Sequence, residues 1–309
     1  MSILQRVSSN LYSHCQRNVK QGVSSLLINR EFHSTLTSNN PRVQLKYDHH
    51  EAVGIGAERS QTPLLILHGL FGSKKNWKTL AKRYVSGLNT DVYAVDLRNH
   101  GESPHLEPLN YEALAEDVSE FLKEKGLTKV NVIGHSMGGK VAMTLGLNKP
   151  AQLEKLIVAD MSPVNAKLSN DFYYYIDSMK KVEEGKHTKQ STAEADLMQY
   201  IPDAGIRLFL MTNLKKDSDG IYRWRVPLDI IREHLEELGN FPVKEGSKEF
   251  TKPTLFVAGS KSNYVKKDYH PVIKSFFPSV EFTELDAGHW VHAEKPKEFL
   301  DLTIKFLKQ

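Results

Sequence analysis

The sequence predicts an α/β protein: a mainly parallel sheet with helices on both faces, broken by a helical excursion over residues 165–247. Three observations carry this expectation. First, "PLLILHG" (63–69) is an unbroken apolar run ending in Gly, as in a strand buried on both faces. Second, strand-like runs alternate with helix-like runs through short connections, the pattern of a parallel sheet with crossover helices. Third, that rhythm stops after Asp160 and resumes at "TLFVAG" (254–259).

Taken in order, "RVQLKYD" and "AVGIG" read as short strands of a hairpin, followed by the buried strand 63–69. A helix is expected around Trp77 to Val85, and "DVYAVD" (91–96) is the next strand. Residues 110–126 place Leu114, Val118, Phe121 and Leu122 at helical spacing and end in Gly. "KVNVIGHS" is a strand and "GKVAMTLGLNKP" a helix stopped before Pro150; "LEKLIVAD" (153–160) is a strand again. The segment 165–247 shows helical runs and no convincing strand. After it come "TLFVAG", a helix near 268–277, the strand "VEFTEL" and the helix "KEFLDLTIKFLK".

Composition narrows the function classes. The chain has 309 residues, 40% hydrophobic and 25% charged, enough to bury a large core. Its net charge of +4 is concentrated in residues 1–39, where Arg6, Arg17, Lys20 and Arg30 face only Glu31. The body is nearly neutral, which gives no electrostatic case for nucleic acid. No apolar run reaches the ~18 residues of a transmembrane segment. The first 30 residues hold no Asp or Glu and are rich in Ser, the composition of a mitochondrial presequence. Arg30, Phe32 and Thr35 fit a two-step matrix processing site, so the mature domain is expected to begin near Asn40. The single cysteine, Cys15, falls in this leader, which excludes disulfides, a cysteine nucleophile and thiolate metal sites from the mature protein.

The chemistry sits at the strand ends. "VIGHSMGGK" contains Gly134-His135-Ser136-Met137-Gly138 between a predicted strand and a predicted helix. That Gly-x-Ser-x-Gly setting is the sharp turn that lifts a serine hydroxyl for attack. "LLILHGLFGS" ends a strand in His68-Gly69, so the Leu70 N–H, with the Met137 N–H after the nucleophile, is placed to meet a developing oxyanion. "LDAGHWVHAEKP" places His289 after the strand "VEFTEL", last in the order serine, acid, histidine. His289 is the expected base, with His292 three residues on at the approach to a helix. Phe71, His135 and Trp290 adjoin these residues; with Phe172 and Tyr173 of the aromatic stretch 172–175 they are candidates for the substrate pocket. No metal-ligand cluster is legible: His49 and His50 are adjacent on the N-terminal strand.

The acid is the irregular member. The loop after "TLFVAG" reads Ser260, Lys261, Ser262, Asn263, with no carboxylate at the usual position. The strand before the helical excursion ends in Asp160. Strand ends of an open parallel sheet converge on one edge, so Asp160 is expected to reach His289 from one strand nearer the serine. Asp286, in the histidine's own loop, and Asp96, in "DLRNHGES", are the rivals.

Together "HGLFGSKKNW", "DLRNHGESP", "GHSMGGKVAM", "VADMSPV", "GSKSNYV" and "AGHWVHAEKP" resemble the α/β-hydrolase superfamily, and within it the branch of a bacterial short-chain esterase, the animal mitochondrial α/β-hydrolase domain proteins and the yeast ethanol acetyltransferases. The resemblance implies an α/β-hydrolase fold of about eight strands with a helical lid at 165–247, and agrees with Asp160 as the acid. It implies acyl transfer through a covalent Ser136 ester, without a cofactor or metal. Acetyl-CoA and ethanol are the implied pair, in mitochondria, with esterase and thioesterase activity in competition. Two alternatives stand beside this reading. One is a short-chain carboxylesterase or thioesterase only; the other is a matrix binding or protective partner whose hydrolase site is secondary.

Overall fold

The computed structural model describes residues 41–52 and 62–309. The predicted strand "AVGIG" and the leader 1–39 lie outside the described residues, apart from Ala52. A seven-stranded sheet runs β1 (Lys46–His50), β3 (Val92–Asp96), β2 (Leu64–Leu67), β4 (Val130–His135), β5 (Leu153–Ala159), β8 (Thr254–Gly259) and β9 (Val280–Leu285) across its width. Among the described residues of this sheet only β1 is antiparallel; it pairs with β3. All other pairings are parallel.

Strands β2 to β5 are almost wholly buried because helices cover both faces. Alternate residues serve opposite cores. Leu64, Ile66, Val92, Ala94, Ile133 and Ile157 pack with α1 (Lys78–Leu88) and α10 (Pro296–Lys308). Leu65, Leu67, Val95, Val132, Leu156 and Val158 pack with α2 (Tyr111–Glu124), α3 (Met137–Asn148) and α8 (His270–Phe276). Asn110 starts α2 by accepting a hydrogen bond from the Ala113 N–H at 2.9 Å, satisfying one of the helix's free donors.

The insertion after β5 contains α4 (Asn170–Glu184), α5 (Gln190–Tyr200), α6 (Ala204–Met211) and α7 (Leu228–Gly239). It also holds a hairpin, β6 (Leu214–Lys216) with β7 (Tyr222–Trp224), in a segment whose sequence shows no convincing strand. Three-residue strands carry too little alternation to register as strands. Their turn signal was present in "DSDG", where Gly220 takes φ +83°. The hairpin is held to the helices by Trp224, whose indole Nε1 donates to the Met179 carbonyl at 2.6 Å. No helix among the described residues is long and apolar enough to cross a membrane.

Candidate active site

Strand β4 passes into α3 through one strained residue. Ser136 has φ 53° and ψ −119°, and its neighbours explain how so tight a turn fits. A Cβ at Gly134 would lie 2.2 Å from the Gly138 carbonyl oxygen, and one at Gly138 would lie 2.4 Å from the Leu67 oxygen. Glycine at both positions is therefore a steric requirement of the Gly-x-Ser-x-Gly turn. The turn leaves Ser136 only 8% exposed, with Oγ 2.9 Å from His289 Nε2.

His289 lies in the loop between β9 and the short helix α9 (Val291–Glu294). Its Nδ1 is 2.7 Å from Asp160 Oδ2. Asp160 follows β5, is completely buried and has φ 48°. Its Oδ1 accepts from the Gly259 N–H at 3.0 Å, and its Oδ2 also accepts from Ser262 Oγ at 2.5 Å. A carboxylate only accepts, so the His289 proton sits on Nδ1 and the Nε2 lone pair faces the Ser136 hydroxyl.

The two rivals for the acid are engaged elsewhere. Asp286 is exposed and pairs with Lys261 at 2.8 Å. Asp96 binds the Lys74 backbone and ammonium and the Glu102 N–H, bracing the loop before Ser103. Ser262 stands in the usual acid's loop, and its hydroxyl holds the displaced carboxylate.

Several supports were not read from the sequence. Glu294 accepts from the N–H groups of Gly288 at 2.8 Å and Trp290 at 3.3 Å, clamping the His289 loop from α9. His135 Nε2 donates to the His289 carbonyl at 2.9 Å, and the Tyr264 ring lies 4.3 Å from the imidazole. His292, three residues beyond His289, stacks on Trp77 at 4.2 Å. Burial, with His292 and His289 nearby, holds His135 well below the ordinary histidine range. Burial and then His289 lower His292 to about 3. These two rings resist protonation.

The loop after β2 is fixed by His68. The Leu97 N–H donates to its Nε2 at 3.0 Å, so Nδ1 carries the proton and donates to the Gly69 carbonyl at 2.8 Å. Phe71 follows at φ 60°, and Asn213 of the lid donates to its carbonyl at 2.7 Å. The Leu70 and Met137 N–H groups have no protein acceptor among the described residues.

Above Ser136 lies a cavity of about 50 Å³. Leu70, Phe71, His135, Phe172 and Trp290 line it. Tyr173 does not. Its ring faces Arg232 at 5.6 Å, and Tyr175 takes the inward position. The reason is helical: residues 172 and 175 share a face of α4, and residue 173 is turned about 100° away. Ile206 and Phe209 of α6 complete the wall. Among the described residues, Glu107, Glu233 and His234 gather ligand-type atoms on the surface, and none of them lines this cavity.

This geometry is that of a serine hydrolase, and the comparisons agree. Residues 62–296 match the sequence model of the alpha/beta hydrolase fold family, so the chain belongs to that family. It is 39% identical over 297 residues to the sn-1-specific diacylglycerol lipase ABHD11 of Danio rerio, covering 94% of this chain and 90% of that protein. It is 32% identical over 292 residues to ethanol acetyltransferase 1 of Wickerhamomyces ciferrii, covering 86% of this chain and 74% of that protein. Among solved structures, a marine microorganism esterase superposes with a TM-score of 0.78 at 35% identity, over 85% of this chain and 99% of that one. The protein is a serine hydrolase-type enzyme of the acyl-transfer and hydrolase kind.

Proposed function

We propose that the enzyme transfers short acyl groups through an ester on Ser136, with acetyl-CoA as donor and ethanol as preferred acceptor, water competing. The observation that carries this reading is the size of the cavity beside Ser136. One water-sized probe occupies about 10–15 Å³ on this measure, so 50 Å³ takes about four small atoms, an acetyl group and little more. The long chain of a diacylglycerol would require the lid to move.

In this reading His289 Nε2 takes the Ser136 proton as Oγ attacks the thioester carbonyl. The free Leu70 and Met137 N–H groups receive the oxyanion, preset and needing little reorganisation. Asp160 holds the His289 tautomer and stabilises the imidazolium, which then gives its proton to the departing thiol. An alcohol or water, deprotonated by His289, attacks the acyl-serine. Water is present at ~55 M, so transfer to alcohol requires a site that orients the alcohol and limits water. The largely apolar wall of Leu70, Phe71, Phe172, Phe209 and Trp290 favours that outcome.

Residues 1–39 act as the mitochondrial presequence in this proposal, on their composition. Fusing them to a reporter and following its location in cells tests that part. The test of the chemistry supplies acetyl-CoA with and without ethanol and quantifies CoA, acetate and ethyl acetate together. Ethyl acetate formed at the expense of acetate supports the proposal. Acetate alone makes the protein a thioesterase, and turnover restricted to long-chain glycerides sinks the short-acyl reading.

A further inference from the structure

His289 borders a second, larger cavity that the chemistry above leaves unused. This space of about 480 Å³ lies between the segment leading from β5 into α4 and the loop that follows β8. At that volume it is in the range of small-molecule sites. Among the described residues its lining is unbalanced in charge: Lys140, Lys167, Lys261 and Lys266 face one carboxylate, Asp171. Asp171 is occupied by Ser169 Oγ, which donates to it at 2.6 Å. Lys140 is buried and donates to the carbonyls of Val164, Gly239 and Asn240, so it belongs to the floor. Lys261 is paired with Asp286 at the rim. Lys167 and Lys266 are exposed and, among the described residues, make no ion pair or side-chain hydrogen bond. Two uncommitted ammonium groups thus stand over a cavity that one wall of His289 also lines.

The position relative to the reaction gives the cavity a direction. The acyl group occupies the small apolar space over Ser136. The leaving group must lie where His289 can protonate it. Among the described residues, His289 alone borders both spaces. A thiol carrier that leaves beside His289 therefore has the lysine-lined space as its neighbour across that residue.

We propose that this cavity binds the phosphorylated end of the acyl donor, with Lys167 and Lys266 taking phosphates of a nucleotide-bearing thiol carrier. This rests on the thioester reading above and gives that site its donor selectivity. Tyr264 and Tyr269 line the same cavity, where aromatic rings give the remainder of the carrier apolar surface to pack on. The attraction is between exposed charges, so it weakens as salt screens it.

The test compares acetyl-CoA with S-acetylpantetheine, which presents the same thioester without phosphates. It uses the full chain and a Lys167→Ala/Lys266→Ala double variant. Turnover of p-nitrophenyl acetate by the variant certifies that it is folded. In the wild type, kcat/KM favours acetyl-CoA, and adenosine 3′,5′-bisphosphate competes with it. In the double variant the ratio of the two kcat/KM values falls about tenfold, through KM. A ratio unchanged by the variant, or a wild type indifferent to the phosphates, overturns the anion site and leaves the thioester reading standing. Turnover of p-nitrophenyl acetate with neither thioester used overturns both. Lysine-dependent binding to phosphatidylglycerol vesicles, without inhibition by the bisphosphate, assigns the lysines to a lipid surface and also overturns the proposal.

Discussion

Replacing Asp160 by Asn is the substitution whose outcome the geometry constrains most tightly. The side chain at 160 makes three contacts: Oδ1 with the Gly259 N–H, and Oδ2 with both His289 Nδ1 and Ser262 Oγ. An asparagine has one acceptor and one donor end. The Gly259 N–H is a buried backbone donor and claims the acceptor, because an unpaired buried donor costs about 1–3 kcal/mol. The amide NH₂ then faces His289 Nδ1. Two donors cannot face each other, so the imidazole moves its proton to Nε2 and can no longer take one from Ser136. Loss of the productive tautomer in a triad costs about 10⁴-fold in kcat, or about 5 kcal/mol of barrier. The Ser262 hydroxyl can turn to accept from the new NH₂, so the folding cost stays at or below about 1 kcal/mol. The assay is steady-state hydrolysis of p-nitrophenyl acetate, with a thermal melt beside it. Asp286→Asn, on an exposed carboxylate paired with Lys261, is the comparison and should change kcat less than about twofold. Adding Ser262→Asp to Asp160→Asn returns a carboxylate to within reach of the same imidazole and should recover part of the lost rate. A near-normal kcat for Asp160→Asn, or a collapse for Asp286→Asn, refutes the reasoning.

Three further outcomes are expected. Phe209→Ala opens the wall of the 50 Å³ cavity, so the preference for hexanoyl over acetyl p-nitrophenyl esters should rise about tenfold or more. Asn213→Ala removes the lid's hydrogen bond to the buried Phe71 carbonyl and loosens the loop that carries the Leu70 N–H; kcat should fall about 10- to 100-fold, with a stability loss of about 1–3 kcal/mol from the unpaired carbonyl. Acid should destabilise the fold through its buried neutral histidines. Burial first, then His68 for one and His289 for the other, lowers His100 and His292 to about 3. Between pH 6.5 and 3 the unfolded chain binds protons that the folded chain refuses, so stability rises with pH and is lost as pH falls. From pH 6.5 to 5.5 each such histidine accounts for about 1 kcal/mol, so His292→Phe should flatten the pH dependence of stability by about that amount in denaturant titrations.

The sheet was legible because its strands are continuous apolar runs separated by helices of clear periodicity. Ser136 could be located because its motif lies between a strand and a helix, and His289 because chain order leaves it last. Asp160 became a candidate through an absence, the missing carboxylate in "GSKSNYV", together with the convergence of strand ends. The structure sets Asp160 beside His289, and Ser262 beside Asp160. What the sequence did not disclose depends on contacts between distant segments. Glu294 clamps the His289 loop through backbone N–H groups, which leave no pattern in side-chain chemistry. The choice of Tyr175 over Tyr173 depends on the rotation of α4, which four consecutive aromatic residues do not reveal. The cavity's small volume is set jointly by Phe71, Phe172, Phe209 and Trp290, from four separate parts of the chain.

The central claim is that an acetyl group passes through Ser136. The most direct measurement mixes the enzyme with acetyl-CoA, stops the reaction with acid during the first turnovers and maps the adduct by peptide mass spectrometry, with CoA release followed in parallel. One acetyl group is expected on the peptide bearing Ser136, and CoA release reduced about a million-fold in Ser136→Ala. Sustained CoA release by Ser136→Ala, or an acetyl group mapped to another residue, would contradict it.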